Sequence, residues 1–246
     1  DLDLSLGNAY LAMGNLEAAE TAYRKARQKS DEPATATIGM GNLALARGDT
    51  TIAIDLYRQA ATQDPTSGTP HINLGSLFIS WGDLEAALQE YQTALELAPE
   101  DPAVYTNLAV LYFQSAQYNE ALMYCQTLSQ KAPHSFYAPF LTGLIAQTQG
   151  AYDQALEAYQ KALNLRSDHP DIHQGLAATQ EALGNAEEAI RHWEHWLDLV
   201  REDPAYQQEA EQISKRLQQL IASPHLTPLP KGNQAISAKP ISSSGF

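Results

Sequence analysis

Two histidine clusters and a single cysteine are the residues whose type and spacing bear most directly on chemistry. His169 and His173 fall in "DHPDIH" (168–173), beside Asp168 and Asp171, and His192 and His195 fall one helical turn apart in "HWEH" (192–195). Imidazoles at i, i+3 or i+4 share a helix face, the arrangement that grips a divalent ion. Against that, His169 sits in a turn before Pro170, and the second cluster shows no fixed third ligand. Solvated surface histidines are therefore expected, with no metal and no cofactor; a metal-carrying assembly factor is the alternative. Cys125 is alone, which rules out an internal disulfide and predicts a buried small hydrophobe rather than a reactive thiol. No Ser/His/Asp or Cys/His set and no paired carboxylates in a defined pocket can be read, so no catalytic residue is assigned and the chain is not expected to be an enzyme.

The bulk numbers set the class. The chain has 246 residues, 44% hydrophobic and 18% charged, as in an ordinary folded protein. Fifteen Lys and Arg stand against 29 Asp and Glu, a net charge of −14. Nucleic-acid binding works by presenting cations to phosphates, so that balance argues against it. No apolar run approaches the roughly 18–20 residues that span a bilayer, and membrane insertion is not expected. The sequence starts at Asp1 with no Met, as a fragment or a processed form would. A cytoplasmic location is the expectation, with the reservation that an export signal would be missing from such a fragment.

The elements that position these residues come from a repeat. "LGNAYLAMGNLEAAETAYRKA" (6–26) returns as "LGSLFISWGDLEAALQEYQTA" (74–94), and the whole chain to about residue 200 runs at a period of 34. Ala19, Ala53, Ala87, Ala121, Ala155 and Ala189 mark one register. Gly7, Gly41, Gly75 and Gly143 mark a second, with Ala109 and Ala177 in its other slots. The turn glycines Gly14, Gly48, Gly82, Gly150 and Gly184 form a third, broken by Ala116, and Tyr23, Tyr57, Tyr91, Tyr159 and Trp193 a fourth, broken by Cys125. Each unit reads as two helices. In the third, Leu74, Gly75 and Phe78 share a stripe, Gly82 closes the first helix, and Asp83 caps the second, whose Ala87, Tyr91 and Ala94 point inward. A mid-helix Gly costs about 1 kcal/mol against Ala, so its recurrence predicts a backbone in close approach, with the aromatic filling the wedge between units.

This pattern resembles the tetratricopeptide repeat, carried in unit three by Leu74, Gly75, Phe78, Gly82, Ala87, Tyr91, Ala94 and Pro99. The resemblance implies an all-α fold, a right-handed α-solenoid of six 34-residue helix-turn-helix units at approximately 1–32, 33–66, 67–100, 101–134, 135–168 and 169–201. Residues 202–222 read as a capping helix with Tyr206, Ile213, Leu217 and Leu220 inward, and 223–246, with four prolines and no acid, as a disordered tail or linker. Leu2, Leu4 and Leu6 have nothing before them, which predicts upstream repeats or a homo-oligomer contact. The usual early aromatic is His71 in unit three and Pro139 in unit five.

The resemblance also implies that first helices line a concave groove. Helical geometry, at about 100° per residue, sends Leu4, Asn8 and Leu11, then Ile38, Asn42 and Leu45, then Ile72 and Ile79 toward it. Val110, Phe113, Phe140 and Leu144 follow in later units, with Asn73, Asn107 and Tyr137 interspersed. That surface is apolar and lacks Lys and Arg, so the acidic tails that some members hold are not its ligand. The expected partner is another protein, through a hydrophobic peptide or helix, with Asn side chains serving its backbone. Helix-on-helix contact along the array is the alternative use of the same side chains, and Phe113, Tyr137 and Phe140 are the hardest to absorb that way. The expected function is a non-catalytic interaction scaffold, adaptor or assembly chaperone. A regulatory or targeting region of a larger enzyme, such as a glycosyltransferase with such repeats, is the rival.

Overall fold

A computed structural model of the chain describes residues 2–29 and 33–222. Among these residues the fold is all-α, with thirteen α-helices, one 3-10 turn (Pro204–Tyr206) and no strand. The expected tail, 223–246, lies outside the described residues. No described helix is long and apolar enough to cross a membrane. The chain divides into two compact units that meet in sequence between Asn107 and Leu108.

Unit 1 contains α1 (Leu2–Ala12), α2 (Leu16–Lys29), α3 (Pro33–Ala46), α4 (Thr50–Gln63), α5 (Thr69–Ser80), α6 (Leu84–Leu97) and the start of α7 (Pro102–Gln114). Successive helices pair as α1 with α2, α3 with α4 and α5 with α6, and each second helix also meets the next first helix, α2 on α3 and α4 on α5. The turns follow from single residues. Gly82 takes φ 76°, and the chain closes α5 by bonding Asp83 N–H to the Phe78 carbonyl at 3.0 Å. Asp83 Oδ1 then accepts from Ala86 N–H at 3.1 Å and caps α6.

The repeated alanines Ala19, Ala53 and Ala87 are fully buried, which lets the paired helices approach. The glycine register has a different cause from the one expected. What lies against Gly75 is a ring rather than a backbone: a Cβ there would stand 2.5 Å from Cε1 of Tyr91. Gly7 and Gly41 are held the same way under Tyr23 and Tyr57. Tyr23 also covers Gly39 of the following helix, so one ring wedges two helices at once. The glycine and aromatic registers are two halves of one contact.

Unit 2 contains the rest of α7, α8 (Tyr118–Lys131), α9 (Tyr137–Thr148), α10 (Tyr152–Leu165), α11 (Pro170–Ala182), α12 (Ala186–Val200) and α13 (Gln207–Ala222). Its main core runs from Ala109, Ala121 and Cys125 through Phe136, Phe140 and Tyr159 to Ile172 and Leu176. Tyr159 bridges Gly143 and Gly175 as Tyr23 bridges its two glycines. A second cluster joins Trp193, Trp196 and Val200 of α12 to Ile213, Leu217 and Leu220 of α13. Trp196 is wholly buried with Tyr206 edge-on at 6.0 Å, and its bulk packs against the apolar residues of α13.

Candidate functional site

In unit 1 the second-helix tyrosines reach through to the first helices. The Tyr23 hydroxyl donates to Asn8 Oδ1 at 2.7 Å, and that of Tyr57 to Asn42 Oδ1 at 2.6 Å. In the next repeat Tyr91 bonds Ser76 Oγ at 3.1 Å. Burial pushes the Tyr23, Tyr57 and Tyr91 hydroxyls above the ordinary phenol value, which keeps them protonated and able to donate. A carboxamide whose oxygen is occupied in this way keeps its two N–H donors for other partners. Asn8 is exposed and Asn42 half-buried, and α1 and α3 are in contact. Asn42 Oδ1 accepts also from Asn73 Nδ2 at 3.5 Å, a long contact that extends the line of amides to α5.

The other residues expected along this face divide by burial. Leu4, Leu11 and Leu45 are half-buried and remain accessible. Ile38, Ile72, Asn73, Ile79 and Asn107 are buried. In unit 2, Val110 and Leu144 are buried and Phe140 is 4% exposed, set 6.0 Å from the Tyr159 ring within the main core. Helix contact absorbs Phe140 after all. Phe113 and Tyr137 are half-buried, the first 6.0 Å from the Tyr118 ring and the second 4.2 Å from that of Phe136. The accessible remainder is thus more polar than the sequence pattern, an amide line flanked by leucines. Trp81, at the end of α5, is exposed with Phe78 edge-on beside it at 6.0 Å.

The tyrosine–amide bonds go beyond the sequence reading, although a signal was available: Asn8 with Tyr23 and Asn42 with Tyr57 both stand fifteen residues apart. In unit 2 the partner moves to the last turn of the first helix, because Leu144 and Ala178 fill the earlier slot. Tyr159 donates to Gln147 Oε1 at 2.8 Å, and Trp193 Nε1 to Glu181 Oε1 at 2.7 Å.

The expectation of solvated surface histidines is corrected. His173 takes the early-aromatic slot and is buried, His169 and His192 are half-buried, and His195 is exposed. His169 lies against the Phe136 ring at 4.7 Å. Among the described residues no group of three or more His, Cys, Asp or Glu is arranged to hold a metal ion. Cys125 is buried, and that burial pushes its thiol up to about 12.

Comparison with known proteins bears on the family and the fold. A family model described as "TPR repeat" matches residues 75–115 and 147–184, and one described as "Tetratricopeptide repeat" matches residues 4–68. No curated protein matches the sequence. A solved structure of the APC/C hetero-tetramer Cut9–Hcn1 superposes with a TM-score of 0.73 at 20% identity, covering 87% of this chain. This chain spans only 42% of that one. Pseudomonas aeruginosa pilF gives a TM-score of 0.67 at 19% identity, with 86% of this chain and 96% of pilF covered. YrrB gives 0.52 at 21% identity, with 79% and 98% covered. At such identities the likeness is one of fold. Proteins with these repeats are generally protein-interaction scaffolds. Two repeat models, the 34-residue period and the glycine–tyrosine wedge agree, and the chain belongs to the tetratricopeptide repeat family.

Proposed function

We propose that the chain is a non-catalytic scaffold, adaptor or assembly chaperone that holds an extended, largely apolar segment of a client protein along the first helices of unit 1. The supporting observation is the pair Asn8 and Asn42, whose oxygens are occupied by tyrosine hydroxyls, which leaves their N–H groups as the donors for a ligand. An extended peptide offers a row of carbonyl acceptors to such donors, and side chains of its apolar residues fit against Leu4, Leu11 and Leu45. The groove positions derived from the repeat carry no Lys or Arg, and the chain's net charge is −14, so the client segment is neutral or basic rather than acidic. YrrB, which shares the fold, is described as a TPR protein with an unusual peptide-binding site, and that lends the peptide reading support.

A photo-reactive phenylalanine analogue placed at Leu11 or Leu45 tests this in a native extract. Placed at exposed Ile52 on α4, the same analogue serves as the control. The proposal expects one client to cross-link at Leu11 and Leu45 and not at Ile52. Capture at Ile52 alone would move the binding surface to the second helices.

A further inference from the structure

Three imidazoles from two facing helices meet in unit 2. His173 of α11 has its Nε2 2.8 Å from the Ser167 carbonyl oxygen. A carbonyl only accepts, so Nε2 carries the proton and the Nδ1 of the neutral ring carries a lone pair. That Nδ1 lies 3.2 Å from His192 Nδ1 on α12, which must donate for the contact to be a hydrogen bond. His195, one turn further along α12, places its ring 4.2 Å from that of His173. The arrangement is satisfied when the rings are neutral. Each added proton places charge in a partly buried site, and a second one sets two cations within a few ångströms of each other.

The charged neighbours do little to offset this. On α12, Glu188 is paired with Arg191, and Glu194 is exposed. In the connection from α10, Asp168 is paired with Arg166 at 3.4 Å. At the start of α11, Asp171 acts on His169 and on the Tyr159 hydroxyl. From α13, Glu209 accepts from Gln174 at 2.6 Å.

We propose that His173, His192 and His195 form an acid-sensitive latch that holds α11 to α12 at neutral pH and weakens as the pH falls toward 5. The weakening loosens the helix pair that α13 covers and leaves unit 1 unchanged. The titration supports the same sense. Burial first, and then the neighbouring cations, push His192 down to about 4, and burial lowers His173 as well. For a histidine whose folded value lies below its unfolded value, the contribution is fully present above the unfolded value and is lost as pH falls toward the folded one. The window here runs from about 6.5 down to about 4.

Amide hydrogen exchange of the full chain at pH 7 and pH 5, corrected for intrinsic rates, reads the latch directly. The opening equilibrium of α11 and α12 should rise by up to roughly 20-fold at pH 5, the linkage expected from His192 alone, while α1–α4 stay unchanged. In His192→Gln most of that rise should disappear. Equal protection of α11 and α12 at the two pH values, or an equal rise in the variant, overturns the proposal. A ring titration of His192 by NMR in the unaltered chain is independent of any variant, and a midpoint at or above the ordinary histidine value also overturns it.

Discussion

Glu181, in the last turn of α11, is buried between two donors from different helices. Its Oε1 accepts from Trp193 Nε1 at 2.7 Å, and its Oε2 accepts from Arg216 Nε at 3.0 Å. Arg216 belongs to α13, so this carboxylate ties α13 to the helix pair beneath it. Gln174 adds a second polar tie through Glu209. In the repeat Glu181 stands in the slot that Leu11 and Leu45 take in unit 1, and Arg216 of α13 reaches it there.

Breaking this tie should be costly. Glu181→Gln removes the carboxylate charge that pairs with the Arg216 guanidinium, a group with only 11% of its side chain exposed. A loss of about 3 kcal/mol is expected, within the usual range for removing one member of a buried pair. Urea unfolding measures it, and early proteolysis within α13 should accompany it. A change below about 0.5 kcal/mol would mean that the pair contributes nothing net.

The glycine–tyrosine wedge predicts a second cost. Gly75→Ala places a Cβ 2.5 Å from the ring of fully buried Tyr91, so that ring or its helix must shift. The expected destabilisation is about 1–3 kcal/mol, of the overpacking kind. Unfolding midpoints of Gly75→Ala and the unaltered chain decide it, and equal midpoints would show that the ring moves aside freely.

One position should gain stability. Ala116 holds φ 56° in the turn between α7 and α8, where the other turns of this kind use glycine. An L side chain there costs on the order of 1 kcal/mol. Ala116→Gly should recover about 0.5–1 kcal/mol, after the entropy that glycine adds to the unfolded chain. A lower urea midpoint for the variant would contradict this.

Cys125 should be silent in the folded protein. Its thiol is buried and pushed up to about 12, so almost no thiolate exists at pH 8. Labelling by a disulfide reagent should therefore proceed at the unfolding rate and accelerate only with denaturant. Rapid labelling without denaturant would place the thiol at the surface.

The helices are legible in the sequence because period and helix face are one-dimensional signals. The registers of Ala19, Gly7 and Tyr23 and the turn glycines locate both helices of a unit without any partner. What the registers do to one another is not legible, since it depends on where a side chain of one helix ends on another. The aromatic register marks Tyr57 as a wedge, and its hydroxyl on Asn42 follows only from the crossing of α3 and α4. Helical angle puts Phe140 on the open face, yet the core of α9 and α10 encloses it. His173 shows the same limit in a residue of polar type. Its slot in the repeat favours burial and its chemistry favours the surface, and the slot prevails because Ser167 and His192 satisfy the ring.

Asparagine-to-aspartate exchange tests the central claim most directly. In Asn8→Asp/Asn42→Asp the new carboxylates keep the oxygen that accepts from Tyr23 and Tyr57 and lose the amide N–H donors. The measurement is the affinity of this double variant for the cross-linked client, beside a circular-dichroism melt of the same protein. The account predicts an unchanged melt and an affinity lower by roughly ten- to a hundredfold, the loss of two hydrogen bonds. An unchanged melt with unchanged affinity would contradict it and remove the amide line from the binding site.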